Sequence, residues 1–363
     1  MTQTLPQALL LQAATRGSAI ALRYKQLGIW QVRRWSDVAQ DVSRLAAGLQ
    51  QRGFGRGDDL LIISQARAEA LLLALAAQWL GGSVTLLDPD LDHRHLLAVL
   101  KPAFVLAGTL DAVQQVRSAD HAPRVLLYLD GRGLNAATDT GLSAYAELTA
   151  GITAEPPAPV TESASTAFVF HRADDSQPQR LSHGQLLEGA RKLIARENLS
   201  ANEEALAARV FAASGQARYL LAPWLSAGFC LNFPEALATR DTDRRELGPT
   251  LVLGTRESYA RLEQWAQERL PLQGTLSHHL YRWAMVPDPH GVRRWLGHWL
   301  IRRPLLDVLG MSRLRVPLLV GPALTEDSAA FFAALGIRPG HWQEPSTPRE
   351  PAEVPAHLIP HSV

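Results

Sequence analysis

The sequence predicts an α/β protein of two lobes, each a mostly parallel sheet covered by helices on both faces. The first observation is an alternation of short apolar runs with longer helical patterns. LLIIS at 60–64, SVTLL at 83–87, FVLA at 104–107 and VLLYL at 125–129 are separated by segments with helical spacing. Strands that are apolar on both faces belong to sheets buried on both sides. The second observation is length, because 363 residues exceed what a single core usefully absorbs. The third is a break in composition at 151–165, GITAEPPAPVTESAS, which is rich in proline, serine and threonine and has little to bury. We therefore expect a first lobe over 1–150, a linker over 151–165, a second lobe over 166–343, and a proline-rich tail over 344–363 that is disordered or draped on the surface.

Within the first lobe, SDVAQDVSRLAAGLQQR at 36–52 reads as a helix, with Ser36 as its N-cap and Gly53 as its stop. Residues 66–80 form a very apolar helix ended by Gly81-Gly82, and a further helix crosses 95–100. In the second lobe the expected strands include 166–170, 250–253 and 318–320.

Composition excludes several classes of function. A net charge of +1 predicts no nucleic-acid footprint. The one cysteine, Cys230, can form neither an internal disulfide nor a cysteine metal cage, which fits a reducing cytoplasm. The start, MTQTLPQALLLQAATRG, lacks the basic region of a signal peptide, and no stretch approaches the ~20 apolar residues needed to span a bilayer. We expect a cytoplasmic protein, with peripheral contact at the inner face of the membrane as the variant reading.

Several blocks carry a resemblance. Gly28-Ile29-Trp30, Trp35, Gly48-Leu49, Gly53 and Gly57-Asp58 stand in order before the buried run at 60–64. A helix, a Gly-Gly turn and a strand follow over 68–89. GPTLVLGTRESYARLEQW begins at Gly248, and GMSRLRVPLLVGPALTEDSAAFFAALG spans 310–336. This ordered set resembles the adenylate-forming (AMP-binding) acyl-CoA synthetase family, in particular the large N-terminal domain of bacterial long-chain acyl-CoA synthetases. The resemblance implies a two-lobed α/β fold and a reaction that joins a carboxylic acid to coenzyme A through an acyl-adenylate. It also implies a Gly/Ser/Thr-rich loop ending in lysine, because glycines let backbone amides approach phosphates and lysine neutralises their charge. The chain ends at Val363, before the family's ribose-binding aspartate, hinge and C-terminal lysine, so the mobile C-terminal domain is expected to be absent.

The family loop should lie between the strand at 166–170 and the helix start Leu181-Ser182-His183. Where the family has Thr-Ser-Gly-Thr-Thr-Gly, this chain has His171-Arg172-Ala173-Asp174-Asp175-Ser176. The lysine position falls on Gln179 and the next glycine on Arg180. Two carboxylates would face polyphosphate at a cost of about 1–4 kcal/mol for each contact near 4 Å. The lost glycines remove the close backbone approach as well. The alternative is that Arg172 and Arg180 take over phosphate binding, since arginine binds phosphate well. Remaining nucleotide-site positions implied by the resemblance are Gly321, Pro322, Ala323 and Glu344.

Other residue clusters carry both a functional and a structural reading. Asp88, Asp90, Asp92, His93 and His95 are metal-ligand residue types, but acidic residues are expected beside a helix start, and no metal site is assigned. Ser182 reads as an N-cap rather than a nucleophile for His183. Trp283, Trp295 and Trp299 among Arg293, Arg294, Arg302 and Arg303 form a candidate partner or membrane surface. The expected function is a degenerate synthetase-like pseudoenzyme acting as a binding, regulatory or assembly subunit, whose partner is an active synthetase, another pathway enzyme or a second copy. The alternatives are an acyl or acyl-CoA binding protein, or an active ligase completed in trans. No cofactor is expected, with ATP, Mg²⁺ and coenzyme A entering only if the ligase alternative holds.

Overall fold

The computed structural model describes residues 3–134, 141–152, 157–171, 177–208 and 212–342. Two seven-stranded sheets organise the molecule. The first runs, in spatial order, Leu142–Ala144, Val125–Tyr128, Phe104–Ala107, Asp59–Ile63, Ser83–Leu87, Thr166–Phe170 and Gln179–Ser182. Every pair is parallel except the last, where Phe170 stands opposite Gln179. The second sheet runs Gly340–Trp342, Val316–Val320, Leu251–Gly254, Glu204–Leu206, Cys230–Phe233, Ile20–Gln26 and Ile29–Arg34, again parallel apart from the final hairpin. This is the expected mostly parallel, doubly covered α/β architecture.

The sheets do not follow chain order. The early hairpin at 20–34 completes the second sheet, and the strands at 166–182 complete the first. The compositional break at 151–165 therefore separates neither sheet. Its described part is tied down: Trp79 Nε1 donates to the Pro157 carbonyl at 2.7 Å, and the buried Thr161 hydroxyl donates to the Gln78 carbonyl. The helix that holds it, Ala68–Trp79, is buried over nearly its whole surface, as a helix apolar on almost every side must be. Gln78, its one fully buried polar side chain, spends its amide on the Ala167 carbonyl at 2.9 Å.

One helix boundary differs from the sequence reading. The helix runs Trp35–Gln51 with Arg34 at the cap position. Asp37 accepts from the Arg34 amide at 2.9 Å, while the Ser36 hydroxyl donates to the Gly17 carbonyl at 3.0 Å. Trp35 enters the core at the first helical position, and that burial sets the start.

The hairpin carries local strain. Its two-residue turn, Leu27-Gly28, has φ of 50° and 77°. A turn with both central residues left-handed favours Asn-Gly, and an ordinary side chain there costs about 1–2 kcal/mol. Leu27 is exposed, so it packs nothing to offset that cost, and Glu235 holds the turn by accepting from both amides at 2.8 and 3.0 Å. Leu27→Asn is expected to raise stability by about 1 kcal/mol, read as a higher urea midpoint at unchanged slope. A lower midpoint would show that the leucine contributes something its exposure conceals.

Candidate active-site cleft

In open parallel sheets, ligands bind beyond the carboxyl ends of the strands. Both sheets of this chain point those ends at one cleft of about 1090 Å³. Gln65, Asp88 and His171 follow strands of the first sheet, and Ala208, Thr255 and Gly321 follow strands of the second. The sequence-predicted Gly321, Pro322, Ala323 and His171 all line it. Gly321 has φ of 89°, a conformation that glycine adopts without strain, and its carbonyl accepts from His341 Nε2 at 2.6 Å.

The rest of the predicted loop divides. Arg172, Ala173, Asp174, Asp175, Ser176 and Glu344 lie outside the described residues. Gln179 is buried in the strand opposite Phe170, and Arg180 is exposed opposite Val169; neither lines the cleft. The suggestion that Arg180 replaces a phosphate ligand therefore has no support in its position. His171 does line the cleft, but partial burial holds its pKa below the ordinary imidazole value, with Asp59 opposing and Arg180 adding to the effect. It adds no full positive charge there at neutral pH.

The charges around the cleft are mostly committed to one another. Asp241 accepts from Arg244 at 2.8 Å and from Arg261 at 2.5 and 3.2 Å. Burial pushes the Asp241 carboxyl up, but hydrogen bonds from Arg261 and the charge of Arg244 outweigh it, so the acid stays below the usual range. Arg244 is itself buried and gives its Nε–H to the Leu309 carbonyl at 2.8 Å. On the first-sheet side stand Asp88 and Asp90; Gln65 donates to both Asp90 oxygens at 3.1 and 3.2 Å. His93 Nε2 is bonded to the Asp88 carbonyl at 2.6 Å, and Asp92 is spent on Arg94. Among the described residues no group of three or more His, Cys, Asp or Glu is placed to hold a metal ion.

Leu206, Leu237, Val252, Leu253, Leu262 and Met311 give the second-sheet wall an apolar stretch, beside the polar Gln216, Arg240, Thr255, Glu257 and Ser258. Sequence reading missed Asp241, Arg244 and Arg261, which sit on helices Arg240–Leu247 and Arg256–Gln267. The segment RDTDRREL looks like a solvated helix face and carries no periodic signal of burial.

The other sequence candidates fall as follows. Ser182 is a helix cap in a reciprocal pair: its hydroxyl accepts from the Gln185 amide at 3.2 Å, and the Gln185 side chain accepts from the Ser182 amide at 2.9 Å. Trp283, Trp295, Trp299, Arg294 and Arg303 are exposed and Arg293 is half-buried. Arg302 departs from the expected surface. It is buried and donates to the Arg293 and Arg294 carbonyls at 3.1 Å each. No described helix is long and apolar enough to cross a membrane.

Comparisons with known proteins agree with this arrangement. Residues 10–171 match the family model described as AMP-binding enzyme. No curated protein matches the chain by sequence. Among solved structures, a protein assigned as a long-chain-fatty-acid CoA ligase of Rhodopseudomonas palustris is similar, with 18% identity and a TM-score of 0.65, covering 92% of this chain and 73% of its own. A long-chain-fatty-acid-CoA ligase of Archaeoglobus fulgidus is 10% identical with a TM-score of 0.71, covering 94% of this chain and 64% of its own. The carboxylic acid reductase didomain of Segniliparus rugosus, solved with AMP, is 14% identical with a TM-score of 0.71, and this chain spans 52% of it. At such identities the likeness establishes fold. Residues 10–171 thus resemble the AMP-binding enzymes, and the described chain carries the two-sheet α/β fold seen in these CoA ligases.

Proposed function

We propose that this chain is a non-adenylating relative of the acyl-CoA ligases, a binding or assembly subunit that keeps the family's cleft without its phosphate chemistry. One observation carries the reading. The strands flanking the phosphate-loop position stay in register, Phe170 against Gln179, while the intervening residues 171–178, HRADDSQP, contain neither glycine nor lysine and hold two aspartates. The surroundings support it. Asp88 and Asp90 bring carboxylates to the same cleft, His171 tends to neutrality, and Asp241 occupies both Arg244 and Arg261. Carboxylates at the cleft and two arginines already paired with Asp241 both work against binding a triphosphate that carries several negative charges.

Calorimetric titration with ATP and Mg²⁺ is expected to give no binding heat. A micromolar affinity would overturn the reading, as would pyrophosphate release with ATP and a panel of carboxylic acids.

The apolar stretch of the second-sheet wall favours a second reading, in which the cleft carries an acyl ligand. Native mass spectrometry of gently purified protein should then find a bound lipid. Repeated absence of any such adduct would exclude it.

A further inference from the structure

Helices normally turn their apolar stripe inward. Two helices of this chain do the reverse. On Leu276–Ala284, the residues at helical spacing Leu276, Leu280 and Trp283 face solvent, while Ala284 is buried. On Gly291–Gly297 and its continuation through a π-turn at 298–302, Val292, Trp295 and Trp299 face solvent at 70%, 64% and 50% exposure. The inward side of that second helix is Gly297 and the buried Arg302. Nine of the eighteen exposed large hydrophobic side chains among the described residues lie in the 37 residues 272–308. Apolar side chains scattered singly over a surface need no explanation, but a concentration of this kind marks a surface meant to be covered.

We propose that this face seats the protein on an anionic lipid bilayer. The segment 272–308 carries five arginines against two aspartates and no glutamate, within a chain of net charge +1. Arg282, Arg294 and Arg303 are exposed beside the apolar stripe, and the Asp288 carboxylate is held by Arg338 at 2.5 Å. The Arg303 guanidinium lies over the Trp299 ring at 4.5 Å and that of Arg293 over Trp283 at 5.8 Å. Such pairs keep cations level with indole rings, the arrangement suited to a headgroup layer where rings enter the acyl boundary and guanidinium groups meet phosphates. A second copy docking through the same face would set these arginines against their own equivalents. An anionic membrane removes that repulsion. The face is also mechanically joined to the cleft: Met285, Leu305 and Leu306 behind it pack on the small core that includes Tyr259, Leu262 and Met311, three residues that line the cleft.

The test is flotation of the full chain with vesicles of phosphatidylcholine alone or with about one third phosphatidylglycerol. Partitioning onto the anionic vesicles alone is expected, and it should weaken as salt shortens the screening length. Near a charged leaflet each arginine contributes about fivefold in affinity, so R294E/R303E should bind on the order of 25-fold or more weakly. W295S/W299S should lose binding while keeping the parent's urea midpoint, since both rings are exposed. Equal binding to both vesicle types would overturn the proposal, and so would absence of binding by the parent chain. Concentration-dependent dimerisation without lipid that W295S/W299S abolishes would assign the face to a second copy and overturn it as well.

Discussion

Replacing Trp224 with alanine is expected to destabilise the protein by about 3–5 kcal/mol, the range for removing a large buried aromatic. The ring is fully buried on helix Ala222–Ala227 and stacks on Trp35, with centroids 4.9 Å apart and planes 26° from parallel. Its Nε1 donates to the Ala21 carbonyl at 2.9 Å in the hairpin strand. One side chain therefore joins three parts distant in sequence: the early hairpin, the helix beginning at Trp35 and the second-sheet helix. Alanine would leave a cavity between them, remove a stacking partner and take the indole donor from Ala21. Relaxation is limited because Trp35 is itself fully buried and the strand is fixed by pairing on both sides. Trp224→Phe keeps most of the volume and loses the hydrogen bond, so about 1–2 kcal/mol is expected from it. Urea unfolding of both variants should give this order at unchanged slope. A loss below about 1 kcal/mol for the alanine variant would mean that the junction repacks around the gap.

That junction also shows what the sequence could not express. The strands at 83–87, 104–107 and 166–170 were legible because each is a continuous apolar run that burial on both faces requires. The hairpin strands, IALRYKQ and IWQVRR, mix charged and apolar positions because the second is the sheet's partly exposed edge and the first lies next to it, and no local signal says which sheet they join. Their placement is settled by distant contacts such as Lys25 Nζ to Asp243 at 2.8 Å, between side chains that are both buried. Strands of three residues, such as Glu204–Leu206 and Gly340–Trp342, are too short to carry a period. The cleft divides in the same way. His171 and Gly321–Ala323 were legible through the family resemblance, whose motifs follow apolar strands. Asp241, Arg244 and Arg261 were not, because their ion pairs assemble from two helices whose sequences read as ordinary polar surface. Arg302 misled in the opposite direction: its charge suggests solvent, while its guanidinium serves carbonyls inside the fold.

Acidification is expected to destabilise the protein through His183. The ring is fully buried at the first position of helix His183–Glu197. Its Nδ1 accepts from the Leu5 amide at 3.3 Å, one of the four amides left unpaired at the start of helix Leu5–Arg16. Accepting that bond places the ring proton on Nε2, which has no partner among the described groups. A second proton could bind only at Nδ1, breaking the bond and setting a cation against the positive end of the Leu5–Arg16 helix. Burial correspondingly lowers the pKa from 6.5 to about 4. The unfolded chain takes up its proton near pH 6.5 and the folded chain does so only near pH 4, so the unfolded state binds more protons between those values. Stability is then complete above pH 6.5 and falls with acid by up to about 1.4 kcal/mol per pH unit, on the order of 3 kcal/mol across the window. Carboxylates titrate at the lower end of this range, so the difference from His183→Gln isolates the histidine. The glutamine variant keeps an acceptor for Leu5 but has no proton to gain. Its urea midpoint should change less than the parent's between pH 7.5 and 5, with a slope shallower by close to one proton. Equal slopes in the two proteins would show that the imidazole is charged in the folded state and would refute the burial argument.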